Sequence, residues 1–546
     1  MYDTVIVGSG FGGAMVAHQL VATGERVLMV ERGDWVTRGP HNRAPGGAWA
    51  VEPDYARETP CQVDVATNRR IEAFDCVGGP SVFYGGASLR FREADFRVNP
   101  EIVGGSGAAW PFGYDELEPF YTAAERLLGV AGECGADPTE PPRSAPFPHE
   151  PGPLSGAGRV MADAARRLGL HPFRIPLAIN YGAGGERAAC ERCSTCDGFA
   201  CPVSAKNDLA TSVLPALVRG GMELRTNTAA VRLRIEGGRV SGVECVDRQT
   251  GERWTARGAR YVLAAGALVT PYLLLASGAE QLGPGGDVVG RYLMRHRNSI
   301  VFGVFPRRPN AALEFHKHFA IHDFYFGHPG PDAPPGKLGG IQQWAPPPPS
   351  SVRVMLRDRT PLNYVLAPGV PLTTGLLTIA EDQPQADNRV RVDASRCGPF
   401  GLLRLAVTHR YAPRDEAAGR VLVREAKRIM RAAGAVYSYV YEIDTFSHAL
   451  GTVRMGSDPR RSALDEHGRF RGLENLYVAD GSTFPTSGGV NPSLTIAACA
   501  LRVGARLAGS SAPVGMPAAP AAPAAPAAPV AHSARAPLPT GRPIVG

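Results

Sequence analysis

The chain has 546 residues, 44% of them hydrophobic and 20% charged, an ordinary globular composition with enough apolar material for two or three structural units. Its formal net charge of +7, from 58 basic and 51 acidic residues, is spread without the Lys/Arg blocks that track a phosphate backbone, which argues against a nucleic-acid binder. No run approaches the roughly 20 apolar residues of a membrane span, and the first residues read as a strand where a secretory leader would need a basic start and an apolar run, so the expectation is a cytoplasmic protein with no membrane partner.

Residues 4–7 predict a strand, 8–13 a glycine turn, 14–23 a helix and 26–30 a second strand, together one βαβ unit. The turn, Gly8-Ser9-Gly10-Phe11-Gly12-Gly13, follows the strand directly and opens the helix, the context in which a GxGxxG pattern binds a dinucleotide. Gly8 permits the tight turn, Gly10 lets the backbone approach a pyrophosphate, and Gly13 lets helix and strand pack closely. The helix N-terminus offers N–H groups and partial positive charge to the phosphates. Glu31, at the end of the second strand, is placed to accept hydrogen bonds from an adenosine ribose. A carboxylate there favours an unphosphorylated ribose, hence FAD or NAD and not NADP.

Farther along, residues 91–185 are rich in Pro, Gly and charged helices. Within the next stretch Cys190, Cys193, Cys196 and Cys201 crowd together. Their spacing is one residue longer before the last cysteine than a ferredoxin run, and three readings stand open: an iron–sulfur or zinc site, one or two disulfides, or reduced thiols in a tight loop. Residues 260–264 predict a buried strand running into a helix over 271–277 that ends at Gly278. Residues 287–446 mix β-branched strands with proline-rich loops. There His316, His318 and His322 alternate as on a strand, either a metal site or a polar strand face. Residues 476–481 repeat the strand-to-turn pattern, and 492–507 have helical spacing, with Asn491 reading as the N-cap and Pro492 as the first helical residue. From 510 onward Pro-Ala-Ala repeats lack the large apolar residues that offset ordering entropy, so 510–546 is expected to be a disordered tail.

From Tyr2 to about Ala508 the sequence resembles the glucose-methanol-choline (GMC) oxidoreductase family, on four blocks. The first is the N-terminal loop followed by Gly78-Gly79-Pro80-Ser81-Val82-Phe83-Tyr84-Gly85-Gly86-Ala87, similar to the family's flavin-attachment stretch. Another is the run from Gly266 to Gly278, which departs from the family signature only at Ala279 and Glu280. The fourth block, the most specific, is Ser447-His448-Ala449-Leu450-Gly451-Thr452-Val453-Arg454-Met455-Gly456, then Ala479-Asp480-Gly481-Ser482, then Pro485-Thr486-Ser487-Gly488-Gly489-Val490-Asn491-Pro492.

The resemblance implies an α/β fold in which a Rossmann-like FAD-binding domain (1–90, 200–285 and 455–509) is interleaved with an α+β substrate-binding domain (91–199 and 286–454). It implies FAD-dependent oxidation of a CH–OH group, with His448 as base and Asn491 as the second catalytic residue. Gly79, Ser81, Asp480 and Gly481 would line the cofactor, and Val231 would meet the adenine or serve only as a buried strand valine. An alcohol needs a base for its O–H proton while the C–H hydrogen leaves as hydride, and imidazole titrates near neutrality. Oxygen or another acceptor would then reoxidise the flavin. The Ala/Arg/Gly bias resembles family members that oxidise a sugar hydroxymethyl in aminoglycoside pathways; a sterol or other alcohol is the alternative substrate. For a cationic amino sugar, Glu314, Asp323, Glu381 and Asp382 are available carboxylates, or plain surface charges. A flavin electron carrier without alcohol chemistry and an NAD enzyme are the rival classes; the first leaves His448 and Asn491 without a task, and the second leaves the 480–491 block without one.

Overall fold

A parallel sheet carries the nucleotide-type half of the molecule. The computed structural model describes residues 1–43, 62–64, 69–70, 74–182, 187–312, 314, 317–346, 349 and 368–514. The sheet's strands run in the order Leu476–Val478, Gly258–Leu263, Tyr2–Val7, Val27–Val30, Glu223–Arg225, every neighbouring pair parallel. The apolar runs Thr4-Val5-Ile6-Val7 and Val27-Leu28-Met29-Val30 are fully buried, as strands covered on both faces must be. The three separated stretches expected to share one sheet do so. Glu223–Arg225 joins them at the edge, unread in the sequence because three residues of mixed polarity show no periodicity.

The Phe11–Ala22 and Ser493–Leu507 helices pack against each other beside this sheet, where Gly504 leaves room for Gln19 and Val16. The helix expected over 271–277 is longer, Gly266–Ala276, with Pro271 inside it. Pro271 brings no N–H to the carbonyl of Ala267 one turn back. That oxygen instead takes the Thr452 hydroxyl at 2.9 Å, a partner from a distant segment.

A second sheet is antiparallel, in the order Tyr437–Glu442, Arg297–Val304, Thr373–Ala380, Gly339–Trp344, Phe319–Ile321, Phe173–Arg174. One face is roofed by the Pro413–Ala432 helix, whose Ala418, Val421, Leu422, Ala426 and Ile429 recur at helical spacing and are buried against Val301, Ile341 and Leu376. Period-two alternation turns the next residue, Gln342, to the opposite face. Among the described residues no helix is long and apolar enough to cross a membrane. Met1–Val514 form one compact unit; all but residues 510–514 of the expected tail lie outside the described residues.

Candidate active site

The glycine loop leaves the first strand with Gly8 at φ +100°, backbone that only glycine adopts readily. A Cβ on Gly13 would run into the carbonyl oxygen of Gly8, so helix and loop touch without side chains between them. Around Gly10, by contrast, no atom lies within 4 Å of where a Cβ would stand, and as N-cap of the Phe11–Ala22 helix it makes no side-chain capping bond. An open backbone face with uncapped helix N–H groups suits a pyrophosphate. Glu31 is buried beside it: one carboxylate oxygen accepts from the Ser9 N–H (3.1 Å) and hydroxyl (2.6 Å), the other from the Gly33 N–H (3.0 Å). A carboxylate offers about four lone-pair sites, so acceptor capacity remains for a ribose hydroxyl.

The other blocks close on this loop. The Gly78 N–H donates to the Ser9 hydroxyl at 2.9 Å, and Gly79 sits against Gly10. The Ser81 hydroxyl is held inside its own turn, donating to the Gly78 carbonyl at 2.7 Å and accepting from the Leu209 N–H at 3.2 Å. Asp480 is buried; its carboxylate accepts from the Gly266 N–H (2.8 Å), the Thr270 hydroxyl (2.5 Å) and the Ser482 N–H (2.8 Å). Burial raises its pKa, and those hydrogen bonds oppose the rise. Gly481 follows, its carbonyl accepting from the Gly451 N–H at 2.9 Å, which ties the cofactor side to the segment bearing His448. Val231, half-buried, lies at a register shift in the Thr228–Glu236 strand, whose first residue donates its N–H to the Glu31 carbonyl at 2.8 Å.

His448 and Asn491 come together although 43 residues apart: Asn491 Nδ2 stands 3.5 Å from His448 Nε2. Gln342 Nε2 donates to Asn491 Oδ1 at 2.6 Å, fixing which end of the amide faces the histidine. On its other side His448 Nδ1 is 3.0 Å from His296 Nδ1. Burial, then the neighbouring His296 and Lys317, hold the His448 pKa well below the ordinary imidazole range, with Asp382 opposing. His448 is therefore uncharged at neutral pH. The expected N-cap is corrected: the helix is Ser493–Leu507 with Pro492 at the cap and no side-chain capping bond, because the Asn491 amide is spent on Gln342 and His448.

His296, Gln342, Lys317 and Asp382 carry no sequence motif, and only the fold brings them to the pair. Asp382 accepts from the N–H groups of Arg295 (2.8 Å) and His296 (3.1 Å) and from the Ser487 hydroxyl (2.8 Å). Glu381 accepts from the Gly488 N–H at 3.1 Å and pairs with buried Lys337 at 2.8 Å. Neither is a surface charge, and both are committed to the loop that bears Asn491. Glu314 faces Arg192 at 3.8 Å, and Asp323 bonds His171 at 2.7 Å.

The metal readings are corrected. Among the described residues no three His, Cys, Asp or Glu side chains converge on a point that could hold an ion, and Cys193, Cys196 and Cys201 are free thiols. Burial pushes the Cys193 and Cys196 thiols up. The loop is instead organised by buried Lys206, whose ammonium donates to the carbonyls of Tyr84 (2.6 Å), Phe199 (2.8 Å) and Cys196 (3.0 Å). His318 Nδ1 accepts from the Ser155 N–H at 3.1 Å, His322 Nδ1 lies 2.7 Å from both Asp137 and Arg92, and His316 lies outside the described residues.

A parallel-sheet dinucleotide cradle joined to an antiparallel sheet, with a neutral histidine between them, defines a nucleotide-dependent oxidoreductase. Family comparison makes this specific: the description GMC oxidoreductase matches residues 2–298 in its N-terminal part and 384–500 in its C-terminal part. The chain belongs to the GMC oxidoreductase family and is an FAD-dependent alcohol oxidoreductase. It is 32% identical to the 6'''-hydroxyparomomycin C oxidase of Streptomyces lividus, covering 93% of this chain and 91% of that protein. It is also 32% identical to the paromamine 6'-oxidase of Streptomyces fradiae, over 93% and 92%. The 2-methyl-1,2-propanediol dehydrogenase of Mycolicibacterium austroafricanum is 28% identical, over 92% and 94%. Among solved structures, pyridoxine 4-oxidase from Mesorbium loti shares the fold at a TM-score of 0.66 and 19% identity, covering 93% of this chain and all but 1% of that one.

Proposed function

We propose that the enzyme oxidises a primary hydroxyl of a sugar or amino sugar to the aldehyde in the biosynthesis of an aminoglycoside-type antibiotic. The reading is supported by the printed activities of the two 32%-identical relatives, which act on paromomycin-type compounds and span nearly the whole chain. The observation that carries the chemistry is the contact between neutral His448 and Asn491. His448 Nε2 takes the hydroxyl proton as the C–H bond breaks, and the Asn491 amide hydrogen-bonds the substrate oxygen and holds it in line. FAD, when bound, supplies the hydride acceptor.

In this reading Gly8, Gly10 and Gly13 hold the pyrophosphate, and Glu31 the adenosine ribose. Val231 borders the adenine, Gly79 and Ser81 shape the turn beside the isoalloxazine, and Asp480 with Gly481 lines the ribityl-phosphate region. The cofactor half then comprises 1–90, 200–285 and 455–509, and the substrate half 91–199 and 286–454, with oxygen or another acceptor completing the cycle.

The test is the visible spectrum of the purified holoenzyme under anaerobic conditions, with paromamine, a hexose and a sterol added in turn. Paromamine is expected to bleach the flavin band, and His448→Ala to slow bleaching by roughly a hundredfold or more. Bleaching by the sterol alone would move the substrate class, and an equally fast His448→Ala would remove the base. Readmitting air shows whether oxygen is the acceptor.

A further inference from the structure

With both imidazoles neutral, the hydrogen bonds around His448 have only one consistent direction. A backbone carbonyl can only accept, and His296 Nε2 lies 3.0 Å from the carbonyl of Ser487, so that nitrogen carries the His296 proton. In the neutral ring Nδ1 is then bare and can only accept. The hydrogen between the two Nδ1 atoms, 3.0 Å apart, must therefore belong to His448. That leaves His448 Nε2 with its lone pair, on the side where Asn491 presents an N–H. Tautomer choice is set by what the other ring nitrogen meets.

His296 is itself rigidly held. It sits at φ +61°, costly for a histidine. Its N–H donates to Asp382 Oδ1 at 3.1 Å, and its carbonyl accepts from the Tyr411 hydroxyl at 2.8 Å. Both His296 and Asp382 are buried, with 1% of each exposed. Among the described residues the titratable and charged groups near the pair are Lys317, paired with Asp197, on the His448 side, and Asp382 on the His296 side, with His409 and Asp415 beyond Asp382, while the Arg295 guanidinium donates to the Asp444 carbonyl.

We propose that His296 is a positioning residue that locks His448 in the Nδ1–H tautomer and shares the positive charge when His448 takes the alcohol proton. The proposal rests on the reading of His448 as base. In the step, the alcohol O–H bond breaks and Nε2–H forms, while the C–H electron pair leaves as hydride to the flavin and C=O remains. The alcohol is oxidised and the flavin reduced. The new imidazolium then leans its Nδ1 proton toward His296, with buried Asp382 as the counter-charge.

The test is nitrogen-15 NMR of the FAD-loaded enzyme labelled at histidine, with His448 assigned by loss of its signals in His448→Ala. The expected wild-type His448 has a protonated Nδ1 and a bare Nε2. His296→Leu removes the acceptor and should give a mixed or Nε2–H form. His296→Asn, whose amide oxygen stands near the place of Nδ1, should restore the wild-type form. A wild-type His448 protonated at Nε2, or a leucine variant with an unchanged tautomer, overturns the proposal. So does an asparagine variant that matches leucine, since that would be packing alone.

Anaerobic bleaching by paromamine supplies the second arm. His296→Leu should be roughly tenfold to a hundredfold slower and His296→Asn within a few-fold of wild type. A His448→Ala enzyme as fast as wild type would instead sink the base reading while leaving the tautomer result standing.

Discussion

The proposed role of His448 as base requires a neutral ring, because only the unprotonated imidazole can receive a substrate proton. Burial first, then the neighbouring His296 and Lys317, lowers its pKa from the ordinary 6.5, so the ring stays unprotonated as pH falls through that value. The ascending limb of kcat/KM against pH should therefore lie below 6.5. Replacing Lys317 by Met removes one positive neighbour and frees the Asp197 carboxylate, so the limb should move upward. An unmoved limb in a folded, flavin-loaded variant would show that Lys317 does not act on the base. Asn491 makes a separate prediction. Gln342→Leu leaves its amide free to rotate, and flavin reduction should slow by roughly tenfold with cofactor affinity unchanged. His448 and Asn491 were legible because each sits inside a long local pattern. His296 was not, since it lies 152 residues from the ring it touches and nothing in its neighbours marks it.

Elements are held to the cofactor cradle by contacts that run across the chain. The Gly266–Ala276 helix begins earlier than its sequence suggests because Thr452 serves the carbonyl that Pro271 leaves open, and Asp480 accepts from the Gly266 N–H. Thr452→Val keeps the shape and removes the hydroxyl; the buried carbonyl should then cost about 1–3 kcal/mol. Thermal melts should register this as a lower midpoint, and an unchanged midpoint would mean the oxygen finds another partner. At the first turn, Gly13→Ala drives a methyl into the Gly8 carbonyl, so the purified protein should lose its yellow colour. The first βαβ unit was legible from strand, glycine turn and helix in sequence order. The start of the later helix was not, because a proline ordinarily marks a first turn and its compensating partner comes from far along the chain.

At the scale of the whole molecule, buried ionisable groups set how stability follows pH. His18, lowered by burial to about 4, and His322 and His448, also lowered chiefly by burial, resist protonation in the fold. The unfolded chain binds more protons below 6.5, so stability should begin to fall as pH drops through that value. Asp137 and Asp382 add a second loss: despite burial, His322 and Arg92 hold Asp137 down, and His409 and His296 hold Asp382 down. Their contribution is present above 3.8 and disappears as pH falls through their lower folded values. Asp415, raised to about 7 by burial and by Asp382, acts oppositely, its contribution being lost as pH rises through that range. Melts of the flavin-loaded enzyme should show a midpoint that declines in these two acid stages. A midpoint flat from neutral pH into the carboxylate range would contradict this balance.

By itself the sequence determined the glycine turn between strand and helix, the strands of the parallel sheet that flank such turns, and the two segments that bear His448 and Asn491, because each is encoded by neighbours along the chain. Only the tertiary structure decided what surrounds that pair. It made Glu381 and Asp382 braces of the Asn491 loop, organised the loop of clustered cysteines around a buried lysine, and set His296 against His448. These outcomes depend on which distant side chains share one buried, weakly screened space, and local pattern carries no record of that.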